Sequence, residues 1–290
     1  MSINDSTKNP GIDYKKFDAW AKAPPRRLES RKIRAFIFQC RDIPSADADG
    51  GSDSFISLWN PDNKTELKTK TIEDSLNPIY FECLEMLYDM SDIDNCAPIV
   101  MNLWDKDENL LSTSFDYLGR CTVFLNDAST NLKMDNISNE KANGNEIPRP
   151  KWHDIRMGFD ESLPASGQVL CSFAVVRDDF DFTTPSKYLN LSEYIPTKEY
   201  TMEINVLGLR QLESFGLMPI KKPFIKFRIK SLLPPEKAQA VTDIKTDPNA
   251  PGADPNINTT LTFSIQLPTE DLYCPSLSCD IFDYVFSGLS

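Results

Sequence analysis

The sequence has few of the residues that catalytic and zinc sites need. Its 290 residues include a single histidine, His153, and no two cysteines form a Cys-x-x-Cys pair. Zinc is held by clustered Cys and His, and acid–base or triad catalysis needs a nucleophile placed beside a base. No Gly-rich phosphate loop is present either. We therefore expect neither a zinc site nor an enzyme.

Long hydrophobic runs and an excess of basic charge are also missing. No run approaches the roughly 20 apolar residues of a transmembrane helix, and no signal peptide pattern opens the chain. Lys and Arg number 31 against 43 Asp and Glu, a net charge of −12. Because nucleic acids are bound by clustered Lys and Arg, we expect no nucleic-acid partner. The same charge predicts weak attraction to anionic membranes until a cation is added.

The seven cysteines are odd in number and scattered through apolar segments. This pattern predicts reduced thiols that pack in the core of a cytosolic protein. They are Cys40, Cys83, Cys96, Cys121, Cys171, Cys274 and Cys279.

Strand-like segments recur every 8 to 15 residues among 21 prolines, with no long run of helical periodicity. This spacing is typical of an all-β protein built from antiparallel sandwiches. Between Arg31 and Val176 the pattern predicts eight strands. They are 33–40, 54–60, 65–72, 79–86, 98–104, 118–125, 151–156 and 168–176.

Two clusters of aspartates follow two of these strands. Asp47 and Asp53 come after the first strand, and Asp105, Asp107 and Asp116 come after the fifth. Ca²⁺ takes six to eight oxygen ligands, so its site needs several carboxylates that converge from loops held by rigid strands. We therefore expect these five aspartates to bind Ca²⁺. The alternative is that they are solvated turn residues, since Asp favours turns.

These residues resemble the calcium loops of the C2 domain, in which two loops at one end of a β-sandwich supply five aspartates. Asp47 and Asp53 match the first-loop pair, and Asp105 and Asp107 match the Asp-x-Asp of the third loop. Asp116 resembles the last ligand, at a spacing longer than the family's. The resemblance implies eight-stranded sandwiches of type II topology, since no strand precedes Ile33, with Phe55 pointing inward.

Two further sets of residues are candidate lipid contacts. Leu110 and Leu111 lie between the aspartates of the third loop, where they either insert into a membrane or close the loop against the sandwich. Lys64, Lys68 and Lys70 surround the third strand and resemble the basic groove through which some C2 domains hold phosphoinositides. An ordinary solvated strand is the alternative, because Glu66 shares their face.

Composition divides the chain into four parts, the second of which contains a polar insertion. Residues 1–30 form a polar tail or linker, and residues 31–177 form a calcium-binding C2 domain with a polar insertion at 128–150. Residues 178–199 are a linker whose aromatic residues either pack along the domains or sit in a loose tether. Residues 200–290 form a second C2 domain.

The second unit repeats the first at matching offsets. Asp105 follows Cys96 by nine residues, and Asp283 follows Cys274 by nine. The first loop of the second unit has no aspartates, and Val285 occupies the position of Asp107, so we expect no calcium there. We also expect the second sandwich to be incomplete within this sequence, as a fragment of a longer chain or one that a partner completes.

The tandem resembles an internal C2 pair of the ferlins. The stretches that carry the resemblance are Ser75–Glu82, Tyr117–Cys121, Ser166–Phe173, Leu207–Arg210 and Leu267–Pro275. It implies a cytoplasmic module that binds anionic phospholipid in a Ca²⁺-dependent manner during membrane fusion, repair or trafficking. In the parent protein a terminal helix, not present here, would anchor it to the membrane. The rival interpretation is a calcium-independent scaffold that binds proteins through its second C2 domain.

Overall fold

The computed structural model describes residues 29–47, 50–60, 65–90, 97–109, 112–125, 147–158, 162–176, 191–214, 219–229, 243–245 and 252–283. Regular structure in these ranges is strand, apart from 3-10 turns at Leu191–Tyr194 and Asp271–Tyr273. The all-β prediction is therefore confirmed. Among the described residues there is no helix long and apolar enough to cross a membrane.

Thirteen strands are formed by the described residues. They are β1 (Glu29–Arg41), β2 (Ser54–Asn60), β3 (Thr65–Lys68), β4 (Ile79–Met90), β5 (Ile99–Asn109), β6 (Ser112–Val123), β7 (Lys151–Asp154), β8 (Gln168–Val176), β9 (Thr197–Gly208), β10 (Pro223–Arg228), β11 (Asp243–Lys245), β12 (Asn256–Pro268) and β13 (Ser278–Asp283).

The first eight strands form two antiparallel four-stranded sheets. Their orders are β4-β1-β8-β7 and β3-β2-β5-β6. Strand β1 lies between β4 and β8, which is the permutation that the type II topology requires. The fold class is that of a C2 β-sandwich, as predicted.

The core of this sandwich lies between the inner faces of its two sheets. On β1, Ile33, Ala35 and Ile37 are buried in it, and on β2, Ile56 and Leu58 face them. The period-two alternation of apolar side chains places them there.

Phe55 departs from the sequence-based expectation. It is buried, but its neighbour Ile56 points into the core, so alternation along β2 places Phe55 on the outer face of the sheet. There its ring packs edge-on against Phe115, with centroids 5.6 Å apart. The prediction that Phe55 points inward is therefore wrong.

Strands β5 and β6 also extend further than predicted. Strand β5 does not end at Trp104 but continues to Asn109, and β6 begins at Ser112. Asp105, Asp107 and Asp116 are consequently residues of a long hairpin rather than of an irregular loop. The ladder hydrogen bonds of the hairpin fix the directions of their side chains.

The remaining strands repeat the arrangement of the first five. Strands β11-β10-β13 correspond to β3-β2-β5, and the pair β12-β9 corresponds to β4-β1. Asp105 stands opposite Ser54 at the start of β2, and Asp283 stands opposite Pro223 at the start of β10. The nine-residue offsets seen in the sequence therefore mark equivalent positions in two copies of one strand pattern.

The second unit packs on the outer face of the β4-β1-β8-β7 sheet. Tyr273 lies on Phe38, with ring centroids 5.1 Å apart, and both belong to a cluster that includes Leu191 and Ile195. The Gln39 amide donates to the Cys274 carbonyl oxygen at 3.3 Å. The described end of the predicted linker thus packs against the sandwich, while Phe180, Phe182 and Tyr188 lie outside the described residues.

Candidate metal centre

The first acidic loop connects β1 to β2 and is closed by hydrogen bonds within itself. The Gly50 N–H donates to the Asp47 carbonyl at 3.1 Å, and the Ala46 N–H donates to the Gly51 carbonyl at 3.2 Å. Gly50 has φ of 92°, a conformation that favours glycine. The buried Ser52 hydroxyl donates to the Pro44 carbonyl at 2.8 Å. This turn directs Asp47 toward the neighbouring hairpin.

The second acidic segment is the β5–β6 hairpin. Asp105 and Asp107 are two residues apart in β5, so their side chains share a face. Asp116 and Ser114 of β6 stand directly opposite them. The Ser114 hydroxyl donates to Asp107 Oδ2 at 3.4 Å.

Three carboxylates of these two segments converge. One oxygen each of Asp47, Asp105 and Asp107 lies within 4.8 Å of the others. The structure thus brings together residues that are about 60 positions apart in the sequence, through the pairing of β2 with β5.

Asp105 is the central residue of this group. It is 1% exposed, and its Oδ1 accepts the Asp53 N–H at 2.6 Å. Its Oδ2 is buried without a hydrogen-bond partner among the described residues, a costly state for a carboxylate. Burial raises the pKa of Asp105 to about 6, aided by the charges of Asp47, Asp107 and Asp53 and opposed by the Asp53 hydrogen bond.

Asp53 and Asp116 border this group without joining it. Asp53 Oδ1 accepts the Asp74 N–H at 2.8 Å, which orients the carboxylate. Asp116 is exposed across the hairpin from Asp105. We call the five residues Asp47, Asp53, Asp105, Asp107 and Asp116 the acidic tip.

The donor set of the acidic tip suits a hard divalent cation. All its side-chain ligands are carboxylate oxygens, the chemistry that Ca²⁺ and Mg²⁺ prefer, and the described part of the tip offers no His or Cys for zinc. A bound cation would also supply the missing partner of Asp105 Oδ2. The residues therefore fit calcium, with backbone carbonyls and water available for the remaining ligand positions.

Asp74 is a neighbour of the acidic tip that the sequence pattern does not indicate. It lies between β3 and β4 with φ of 47°, and its N–H donates a hydrogen bond to Asp53 Oδ1. Its place in Glu73-Asp74-Ser75, just before Asn77-Pro78, is an ordinary turn pattern. Nothing in the spacing of that turn indicates the tip.

The equivalent end of the second unit is built differently. The Asp283 carboxylate accepts the N–H groups of Lys222, at 2.6 Å, and of Lys221, at 3.0 Å. Lys222 therefore stands where Asp53 stands in the first unit, and both residues cap the equivalent aspartate through their backbone. Val285, the counterpart of Asp107, lies outside the described residues.

Only part of the predicted lipid-contact set can be located. Leu110, Leu111 and Lys64 lie outside the described residues. Lys68 lies over the rings of Phe55 and Phe115, with its Nζ 5.1 and 5.3 Å from their centroids, and pairs with Glu66 at 3.2 Å. Lys70 is exposed, and its N–H donates to Glu82 Oε1 at 3.0 Å.

The fold and the paired acidic segments define a class of domain that comparison with known proteins supports. The family model of the C2 domain matches residues 31–140. The chain therefore contains a C2 domain, and strands β7 and β8 extend its sandwich beyond the matched range.

A longer similarity extends over both units. Myoferlin of Homo sapiens is 24% identical over 271 residues, which are 87% of this chain and 12% of that protein. Myoferlin of Mus musculus is 23% identical over 272 residues, with the same coverage. The chain thus spans about an eighth of the length of these curated relatives.

Solved structures that match this chain include two from extended synaptotagmins. A single C2 domain of plant Extended Synaptotagmin 1 has a TM-score of 0.36 at 15% identity, covering 52% of this chain and 97% of that one. A pair of C2 domains from Extended-Synaptotagmin 2 has a TM-score of 0.35 at 14% identity, covering 90% and 77%. TM-scores this low do not establish a fold, so the fold is assigned from the strand order of the sheets.

Proposed function

We propose that this chain is a calcium-dependent, membrane-binding C2 module of a ferlin-like protein. The observation that carries the proposal is the buried Oδ2 of Asp105, which lacks a hydrogen-bond partner among the described residues and lies among the converging carboxylates. The similarity to myoferlin over 87% of the chain supports the ferlin relationship. The five aspartates of the acidic tip are the proposed calcium ligands, and the cytoplasmic face of a membrane is the proposed place of action.

The proposed mechanism is an electrostatic switch. Without calcium, the carboxylates of the acidic tip repel one another and repel anionic headgroups. Each Ca²⁺ brings two positive charges and leaves coordination positions that phosphate or carboxylate oxygens of a lipid can fill. Calcium loading therefore changes the interaction of the tip with an anionic membrane from repulsion to attraction.

Leu110 and Leu111 are proposed to follow the tip into the membrane. In the sequence they lie between Asn109, the last residue of β5, and Ser112, the first residue of β6. Burial of two leucines would contribute about 3–5 kcal/mol before ordering costs.

Lys68, on the outer face of the β3-β2-β5-β6 sheet, and Lys70, two residues further along the chain, are proposed as a secondary lipid contact. The ion pair with Glu66 offsets part of the charge of Lys68, and this effect is weakened by solvent because both side chains are partly exposed. We therefore expect this contact to add less to membrane binding than the acidic tip does.

Sedimentation with vesicles of phosphatidylserine and phosphatidylcholine tests the switch. The full chain should sediment with Ca²⁺ and remain in solution with a chelator. Asp105→Asn combined with Asp107→Asn should abolish the calcium-dependent fraction. Asp283→Asn, at the equivalent position of the second unit, is the matched control and should sediment like the wild type.

Sedimentation with vesicles that does not depend on Ca²⁺, or that persists in the double variant, would reject the calcium switch. Absence of recruitment under all conditions, together with capture of a protein partner through the second unit, would favour the scaffold interpretation instead.

A further inference from the structure

A basic residue of the second unit reaches the border of the acidic tip. Arg228 ends strand β10, and its guanidinium forms an ion pair with the Asp74 carboxylate. Its Nη1 also donates to the Asp74 carbonyl oxygen at 3.0 Å. On its other side, Nε donates to Asp280 Oδ2 at 2.9 Å. One guanidinium thus joins the two units through Asp74.

Asp74 in turn contacts the proposed calcium ligands. Its N–H donates to Asp53 Oδ1 at 2.8 Å, and the next N–H, that of Ser75, donates to the Ser52 carbonyl at 3.1 Å. Asp53 donates its own N–H to Asp105. Arg228 is therefore connected to the centre of the tip by a short chain of direct contacts.

The loop that carries Asp74 is anchored independently of Arg228. Ile72 and Ser54 exchange two backbone hydrogen bonds of 2.8 and 2.9 Å. The Leu76 carbonyl accepts the Ile43 N–H at 3.1 Å, and the Asn77 side chain accepts the Asp42 N–H at 3.2 Å. Removal of the guanidinium should consequently change the charge beside the tip and leave the position of the Asp74 N–H intact.

We propose that Arg228 is an internal counter-ion of the acidic tip and competes electrostatically with Ca²⁺, so that docking of the second unit lowers the calcium affinity of the first. The inference rests on the proposed calcium function. In the calcium-free protein the guanidinium offsets part of the negative charge at the tip. A bound Ca²⁺ repels the same guanidinium. By linkage, calcium must weaken the Arg228–Asp74 ion pair as much as that pair weakens calcium binding.

The expected effect is moderate because the pair is partly exposed. Asp74 is exposed and Arg228 is half-buried, so solvent and salt screen their charges. We expect Arg228→Gln to tighten calcium binding about threefold to tenfold at low ionic strength, with the gain shrinking as salt is added. A purely structural role of Arg228 would predict weaker binding and no such dependence on salt.

Calorimetric titration of the full chain with Ca²⁺, at several KCl concentrations, tests this inference. Arg228→Gln should bind more tightly than the wild type, and Arg228→Lys, which keeps the charge, should restore wild-type affinity. Lys222 precedes the first residue of β10, at the end of the strand opposite to Arg228. Lys222→Gln removes one positive charge there and should leave the calcium affinity unchanged.

The outcomes separate the inference from the function on which it rests. Absence of calcium uptake by every variant would reject the proposed calcium function and the inference together. Uptake by the wild type with equal or weaker binding by Arg228→Gln, or a gain that salt does not reduce, would reject the inference alone.

Discussion

At the scale of single residues, Asp105 determines how the acidic tip responds to pH. Its side chain is buried beside three other aspartates, which raises its pKa to about 6. An acid whose pKa is higher in the folded than in the unfolded state binds more protons when folded. The calcium-free protein should therefore lose stability as pH rises from about 4 to about 6.

This pH dependence can be measured by thermal unfolding in a chelator. The ionisation of Asp105 should lower the unfolding temperature of the wild type at pH 6.5 relative to pH 4.5. Asp105→Asn should remove this part of the pH dependence. An identical pH profile for the two proteins would contradict the role assigned to Asp105.

Calcium affinity should follow the same ionisation with the opposite trend. Ca²⁺ binds the deprotonated carboxylate, so protons compete with it below a pH of about 6. We expect the protonation of Asp105 alone to make calcium binding about tenfold weaker at pH 5 than at pH 7. Titrations with Ca²⁺ at the two pH values measure the ratio. An affinity independent of pH would show that Asp105 is not a ligand.

At the scale of elements, the close packing of strand β6 against Ile155 and Arg156 depends on Gly119. It has φ of 141°, and a Cβ added there would lie 2.7 Å from Ile155 Cγ2 and 3.1 Å from the Arg156 carbonyl oxygen. Gly119 lies next to the irregularity in the β5–β6 register that brings Trp104 opposite Tyr117. Both backbone strain and overlap therefore oppose any side chain at this position.

Gly119→Ala should lower the free energy of unfolding by about 2–5 kcal/mol. Gly50→Ala is the matched control, because Gly50 has φ of 92° but no atom within 4 Å of the added Cβ. It should cost about 1–2 kcal/mol from strain alone. Chemical denaturation in a chelator gives both values. Equal costs would show that the contact with Ile155 relaxes freely.

At the scale of the whole molecule, the contact between the two units depends on an aromatic anchor. Tyr273 is buried against Phe38 on the outer face of the first sandwich, beside Leu191 and Ile195. Polar contacts between the units include those of Gln39 and Arg228. We expect burial of this apolar surface to contribute substantially to docking of the second unit.

Tyr273→Ala should separate the unfolding of the two units. We expect a cost of about 2–4 kcal/mol, felt mainly by the second unit, so that calorimetry shows an added transition at lower temperature. Tyr200→Ala, at a position 41% exposed, is the control and should keep the wild-type profile. An unchanged profile for Tyr273→Ala would mean that the units unfold independently in the wild type.

Local pattern was sufficient to predict most strands of the first unit. The predicted strands 54–60 and 168–176 match β2 and β8, because both are short apolar segments between turn residues. Strands β5 and β6 were predicted too short, since the far ends of their ladder are formed by polar residues. These polar residues form ladder hydrogen bonds because the adjacent residues of the hairpin are already paired. Hydrophobic periodicity in the sequence does not reveal this cooperative effect.

The fold class, the repeat and the presence of two acidic segments can all be recognised from the order of residues along the chain. These depend on alternation and spacing along the chain, which are local properties. Three features become visible only in the folded protein: Asp47, Asp105 and Asp107 converge, Phe55 faces outward, and Arg228 contacts Asp74. Each of these depends on strand register and on packing between distant segments, and a shift of one residue would reverse the face of every side chain involved.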